Sequence, residues 1–281
     1  MPAGEKHHYI PVFYLKQWCG EDKKLCEFSR PYKAVKPYRR YPHETAFEID
    51  LNTMDALAPS VQDIVERRLM GGIDNNACNA LQLLLDQRIN DLDSAQRTAW
   101  AVFVMSLVRR TPESMARLRE NLRQQMEDNG AYRDLKPEYA NDENARRVLF
   151  QTRYAMLFQN VITSELVGTH LINMRWSVAH FSNPNHTLLT SDRPFVMTNG
   201  IGRPDAHIAV PISPVHAFIA AATPEEEAKL QSIDAKHFTF QMNNRMALQA
   251  RKFVYGVDDG QLRFVANRLG KREASMPGEP E

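Results

Sequence analysis

With 281 residues, 43% apolar and 25% charged, the chain has material for one large domain or two small ones and the balance of a globular protein. A formal net charge of +1 excludes a molecule-wide field toward nucleic acid or membrane, so any such attraction must be local. Cys19, Cys26 and Cys78 form no Cys-x-x-Cys pair and leave an odd thiol, which argues against a disulfide framework and a cysteine zinc site. The first residues lack the basic-then-apolar layout of a signal peptide, and the apolar run 99–105 is too short to span a bilayer. A cytoplasmic protein without a membrane partner is expected.

In chain order, Lys6-His7-His8-Tyr9-Ile10-Pro11-Val12-Phe13-Tyr14-Leu15 comes first. Its apolar residues are too costly to leave in water, so the segment is expected to dock and carry its two imidazoles to a fixed place. Gly20-Glu21-Asp22-Lys23 reads as a hairpin loop. Pro31, Pro37 and Pro42 forbid a helix or central strand over 30–43. An extended surface or sheet-edge segment is expected there, then a short strand over 46–49.

From about residue 55 the period turns helical. Val61, Ile64, Val65 and Leu69 give one stripe, which Gly71-Gly72 is expected to end. A second helix follows over 75–89. Asp93 or Ser94 caps a third, apolar on most faces and therefore central, ending at Arg109-Arg110. Thr111-Pro112 restarts a charged fourth helix to about 128. Asp142 caps a fifth, expected to run unbroken to about 173 with Leu149, Met156, Leu157, Val161 and Leu166 in the core. Strands are expected over 176–181, 187–190, 195–197, 206–211 and 217–222. An acidic helix from Thr223-Pro224 and a helix over 237–250 follow, then a closing hairpin of 253–257 with 262–265.

This is an α+β pattern: about five helices between a short N-terminal β segment and a C-terminal, mainly antiparallel sheet. We read residues 1–269 as one domain with a helical subdomain over 55–174, and 270–281 as a disordered tail. The simplest topology pairs the N-terminal segment with the sheet, bringing His7 and His8 near it.

The second chemically interesting stretch is Ser191-Asp192-Arg193-Pro194, where a carboxylate stands at a strand end and Pro194 holds Arg193 extended. Asp192 is either a reactive group or a turn cap that accepts backbone N–H bonds. His-His-x-x-Pro-x-x-Tyr-Leu, Arg110-Thr111-Pro112, Ser191-Asp192-Arg193-Pro194 and Pro211-Ile212-Ser213-Pro214 occur together. The set resembles a widespread, mostly bacterial domain-of-unknown-function family over about residues 6–266. The resemblance implies no established activity. It does imply that His8, Pro11, Tyr14, Leu15, Asp192 and Pro194 share one arrangement.

An assembly of His8 with Asp192 and the helical carboxylate Glu66 would hold a divalent metal and activate water for phosphoester hydrolysis. Strand alternation lets only one of His7 and His8 face such a site. The competing reading is a structural His–Asp bond that locks the N-terminus down. His-Glu-x-x-His, Gly-x-Ser-x-Gly and glycine-rich phosphate loops are all absent. His170, His180, His207, His216 and His237 read as structural or exposed, and Glu225-Glu226-Glu227 as a charged helix start.

Residues 30–40 hold Arg30, Lys33, Lys36, Arg39 and Arg40 and no acid, interleaved with Tyr32, Tyr38 and then Tyr41. Cations attract phosphate and tyrosine faces stack bases; the competing reading is a solvated guard on a sheet edge. The sequence therefore supports a nucleic-acid-directed protein, with metal-dependent phosphodiesterase as its catalytic form. The alternative is a non-enzymatic protein-interaction module of defence or immunity type.

Overall fold

The computed structural model describes residues 4–271, apart from 131, 133–138, 140, 164, 182–186, 199 and 201. The expected tail falls largely outside the described residues, as does the side chain of Leu166.

The N-terminal part contributes β1 (Lys6–His8), a single helical turn α1 (Val12–Leu15), β2 (Leu25–Ser29), β3 (Lys36–Arg40) and β4 (Phe47–Ile49). The helical middle holds α2 (Gly71–Leu85), α3 (Ser94–Arg109), α4 (Pro112–Asp128), α5 (Glu143–Ile162) and α6 (Glu165–Asn173). Then come β5 (Arg175–His180), β6 (Thr190–Ser191), β7 (Val196–Thr198), β8 (His207–Ser213) and β9 (His216–Ala221). The chain closes with α7 (Pro224–Gln231), α8 (Ala235–Gln249), β10 (Phe253–Gly256) and α9 (Leu262–Ala266).

The protein is α+β, and its described strands form three antiparallel sheets. β1 pairs with β4; a second sheet has the order β3-β2-β10-β6; the third has the order β5-β9-β8-β7. The second sheet joins the two ends of the chain, since β2 lies against β10 with Phe28 opposite Val254. The histidine strand itself is not in that sheet: it pairs with β4, His7 opposite Glu48. β3 is an edge strand, as its prolines require.

The main core is shared by all three parts. Tyr14, Leu15 and Trp18 from the N-terminus, Trp100, Phe103 and Val104 from α3, and Ile208, Val210 and Phe218 from the third sheet lie in one buried cluster. Trp100 sits edge-on to Phe218 at 5.6 Å between ring centroids and stacks obliquely on Phe103 at 5.0 Å. Burying an aromatic side chain of this size contributes about 2–3 kcal/mol, which makes α3 the pivot between helices and sheet.

Four expected elements differ. The helix does not end at Gly71-Gly72: wide i→i+5 turns over Val65–Met70 run straight into α2, and Gly71 keeps helical angles (φ −60°, ψ −37°). Glycine stops a helix by taking a positive φ, and here Met70, Ile73, Ala77, Leu81 and Leu84 extend one buried stripe through the pair. The long fifth helix is two, α5 and α6, and Met156 is 62% exposed while Tyr154, Phe158 and Ile162 are buried. The closing hairpin is β10 followed by α9, because Val265 and Leu269, four apart, are both buried. The Gly20–Lys24 turn is closed by a backbone bond, but helical turns precede it, so it joins no hairpin.

Candidate functional site

The N-terminal motif works as a latch. Pro11 precedes α1 with extended angles; that single turn points Tyr14 into the interior, and the 3-10 turn Lys16–Trp18 after it does the same for Trp18. Tyr14 Oη donates to the Pro211 carbonyl at 2.6 Å and lies 2.7 Å from Thr190 Oγ1. Because its proton goes to Pro211, the threonine hydroxyl donates to the tyrosine oxygen. Trp18 Nε1 donates to the Leu188 carbonyl at 2.8 Å. The motif residues thus tie α1 to β6 and β8, and burial pushes the Tyr14 phenol well above the usual tyrosine range.

Asp192 is buried two residues beyond Thr190. Its Oδ1 accepts from Arg251 N at 2.9 Å, and its Oδ2 from Lys252 N at 2.6 Å and Phe253 N at 3.1 Å. These amides lead into β10, so the carboxylate fixes β6 against the last strand. Burial pushes the Asp192 carboxyl up to about 6, against the downward pull of the three amides and Arg193. Beside it, Glu113 pairs with Arg251 at 2.8 Å and Arg193 at 3.6 Å. Tyr9, Thr111, Pro112 and Glu113 line a small crevice with Asp192. Pro194 follows this node and precedes β7.

His8 does not join Asp192. Its ring lies 5.6 Å from the Phe47 ring and its Nε2 3.4 Å from the His43 carbonyl, and burial lowers its pKa. The neighbour that reaches the aspartate's crevice is Tyr9. The chain's ends do meet, yet strand alternation presents the wrong side chain. Glu66 stands with His7, on the other side of that alternation: Asn52 Nδ2 donates to Glu66 Oε2 at 2.6 Å, and Asn52 N donates to His7 Nδ1 at 2.9 Å. The expected set of His8, Asp192 and Glu66 is therefore not one site.

Among the described residues, the group able to surround a cation is Glu5, His7 and Asp63, with one ligand atom of each within 4.8 Å of the others. Its chemistry does not fit a metal as folded. His7 Nδ1 accepts the Asn52 amide, so the neutral ring carries its proton on Nε2, the nitrogen that would have to ligate. Arg67 already spans Glu5 at 3.0 Å and Asp63 at 3.4 Å. Arg67 thus supplies the positive charge between the two carboxylates, while His7 Nε2 is buried 3.9 Å from Glu5 without a hydrogen-bond partner among the described residues.

Arg110, in the second motif, stands at a helix C-terminus where it would answer the dipole or be buried against Asp192 or Glu113; its partner is instead Asp74. Its guanidinium is buried and bidentate on Asp74, at 2.7 and 3.1 Å, and it also reaches the His8 carbonyl at 3.3 Å. One side chain thereby joins α3, α2 and β1.

The basic stretch splits by face. Arg39 is exposed but already paired, with Asp22, the Lys24 carbonyl and the Val257 carbonyl. Arg30 donates to the Ala266 carbonyl at 3.2 Å. The other face of β3 carries Lys36, Tyr38 and Arg40, two apart, all exposed. Arg40 lies over the Tyr38 ring at 5.5 Å and 3.8 Å from Glu27, while Lys33 and Tyr32 are exposed just upstream.

Sequence reasoning passed over His207 and Glu226, paired at 2.8 Å beside a cavity under α7 and α8. No local motif marks them, because they lie 19 residues apart on a strand and a helix.

Fold and site together define an antiparallel α+β protein in which Tyr14, Arg110 and Asp192 each bond elements far apart in the sequence. The chain belongs to the family described as Protein of unknown function (DUF4238), whose model matches residues 6–260. No curated protein and no solved structure matches the chain. Among the described residues, no helix is long and apolar enough to cross a membrane.

Proposed function

We propose that the protein binds single-stranded nucleic acid along β3, and that binding rather than hydrolysis is its activity. The observation that carries this reading is the alternation of Lys36, Tyr38 and Arg40 on one exposed face of an edge strand, with Lys33 and an 86% exposed Tyr32 leading into it. Extended backbone spaces the side chains about 7 Å apart on one face, close to the spacing of phosphates and bases in an extended strand. The stripe needs no global charge, which suits a chain of net charge +1. Binding is favoured over cleavage because Asp192 is saturated by backbone amides and His8 is turned to Phe47.

Fluorescence anisotropy with labelled oligo(U) and oligo(dT) tests it. Three cations, Lys33, Lys36 and Arg40, give an expected slope of log K against log salt of about −2 for a single strand. Tyr38→Ala is expected to weaken binding by about 1 kcal/mol or more through lost stacking. Absence of binding at low salt, or a Lys33→Glu/Lys36→Glu/Arg40→Glu variant that binds as well as the parent, overturns the proposal. In that event the interaction-module reading takes over the same open edge. Cleavage on addition of Mg²⁺ or Mn²⁺ contradicts the binding-only reading and requires a centre other than His8 with Asp192.

A further inference from the structure

The third sheet is filled unevenly. Along β8, Ile208, Val210 and Ile212 face the main core, whereas Ala209 belongs to the second cluster with Ala217, Ile219 and Ala221 of β9. Ala209, the small residue of β8 on the face that meets α7 and α8, opens onto a cavity of about 600 Å³, with Val196, Leu230, Phe238, Met242 and Leu248 among its other walls. That volume lies within the range of about 300–1,000 Å³ typical of small-molecule sites.

One end of this apolar cavity is polar and ordered. His207 Nδ1 lies 2.8 Å from Glu226 Oε1 and 3.1 Å from Thr198 Oγ1. The carboxylate can only accept, so in the neutral ring Nδ1 carries the proton and Nε2 keeps the lone pair. Among the described residues no group hydrogen-bonds Nε2. Glu226 is held by the Thr223-capped first turn of α7, and Lys229 Nζ matches its charge at 3.2 Å. The other polar groups of the wall have work of their own: Asn244 Oδ1 accepts from Arg268, Gln241 bonds His237, and Arg245 is engaged within the fold. The dyad end thus offers an acceptor nitrogen with no unmatched charge beside it.

We propose that this cavity binds a largely apolar aromatic molecule bearing one hydroxyl or ring N–H, seated with that donor on His207 Nε2. Charge balance at the dyad disfavours an ionic headgroup, and Phe238 supplies an aromatic wall.

The test titrates the full chain with 2-naphthol and, separately, with 2-methoxynaphthalene, which keeps the body and loses the donor. Calorimetry reads affinity, and the ¹³C-methyl signal of Met242 reads location. The expected result is saturable one-site binding of 2-naphthol that shifts Met242, with the methoxy compound at least tenfold weaker. Filling the space with Ala209→Leu is expected to abolish binding of both, and His207→Phe to erase the difference between them. The probe comparison on the parent protein stands even where a variant fails to fold. Equal affinity for the two probes, no saturation by 2-naphthol, or binding that leaves Met242 unmoved overturns the proposal.

Discussion

Replacing Arg110 with alanine is expected to lower the unfolding free energy by about 3–5 kcal/mol, the range for breaking a buried ion pair by deleting one partner. The Arg110 side chain is 3% exposed and gives Asp74 two bonds of 2.7 and 3.1 Å. Asp74 is 22% exposed and can turn partly to water, which favours the lower end of the range. The loss exceeds that of an ordinary surface pair because the guanidinium also holds the His8 carbonyl, so β1 loses its tie to the helices. Arg110→Lys is expected to recover little, since an ammonium cannot reproduce the bidentate geometry. Urea unfolding checks both variants; a loss below about 1 kcal/mol for the alanine variant contradicts the structural role, since that is the usual ceiling for an exposed pair.

Asp192→Ala is expected to be of similar size, about 3 kcal/mol or more, because each buried N–H left without an acceptor costs about 1–3 kcal/mol and three are stranded together. The effect carries a pH signature. Burial raises the native carboxyl to about 6 from an ordinary value of 3.8, so the native state binds the proton more tightly than the unfolded chain. A carboxyl raised in this way contributes most to stability below the unfolded value, and that contribution is lost as pH rises through the native one. The gap between parent and Asp192→Ala is therefore expected to narrow between about pH 4 and pH 6. A gap that widens over this window instead shows the amides outweighing burial.

What could be read locally was legible. Asp93, Thr111, Asp142 and Thr223 cap the helices they were expected to cap, each accepting from an amide two or three residues on. The prolines around β3 placed it at an edge, and the apolar run from Ile10 to Leu15 required docking. What depended on distant partners was not legible. Asp192 does serve as an acceptor for backbone amides, but those amides lie 59 to 61 residues further on. Whether His7 or His8 turns inward is decided by the register of β1 on β4, where a one-residue slip exchanges them. The acid that neutralises Arg39, Asp22, lies on a turn outside the basic run, so the run's own composition overstates its free charge.

The N-terminal motif joins the start of the chain to the C-terminal sheets, and a double-mutant cycle of Tyr14→Phe and Thr190→Val tests this most directly. The two hydroxyls are 2.7 Å apart and buried. A coupling energy of about 1 kcal/mol is expected in equilibrium unfolding, as for hydrogen-bonded neighbours in one network. Additivity within about 0.3 kcal/mol, the behaviour of residues that do not touch, contradicts the account.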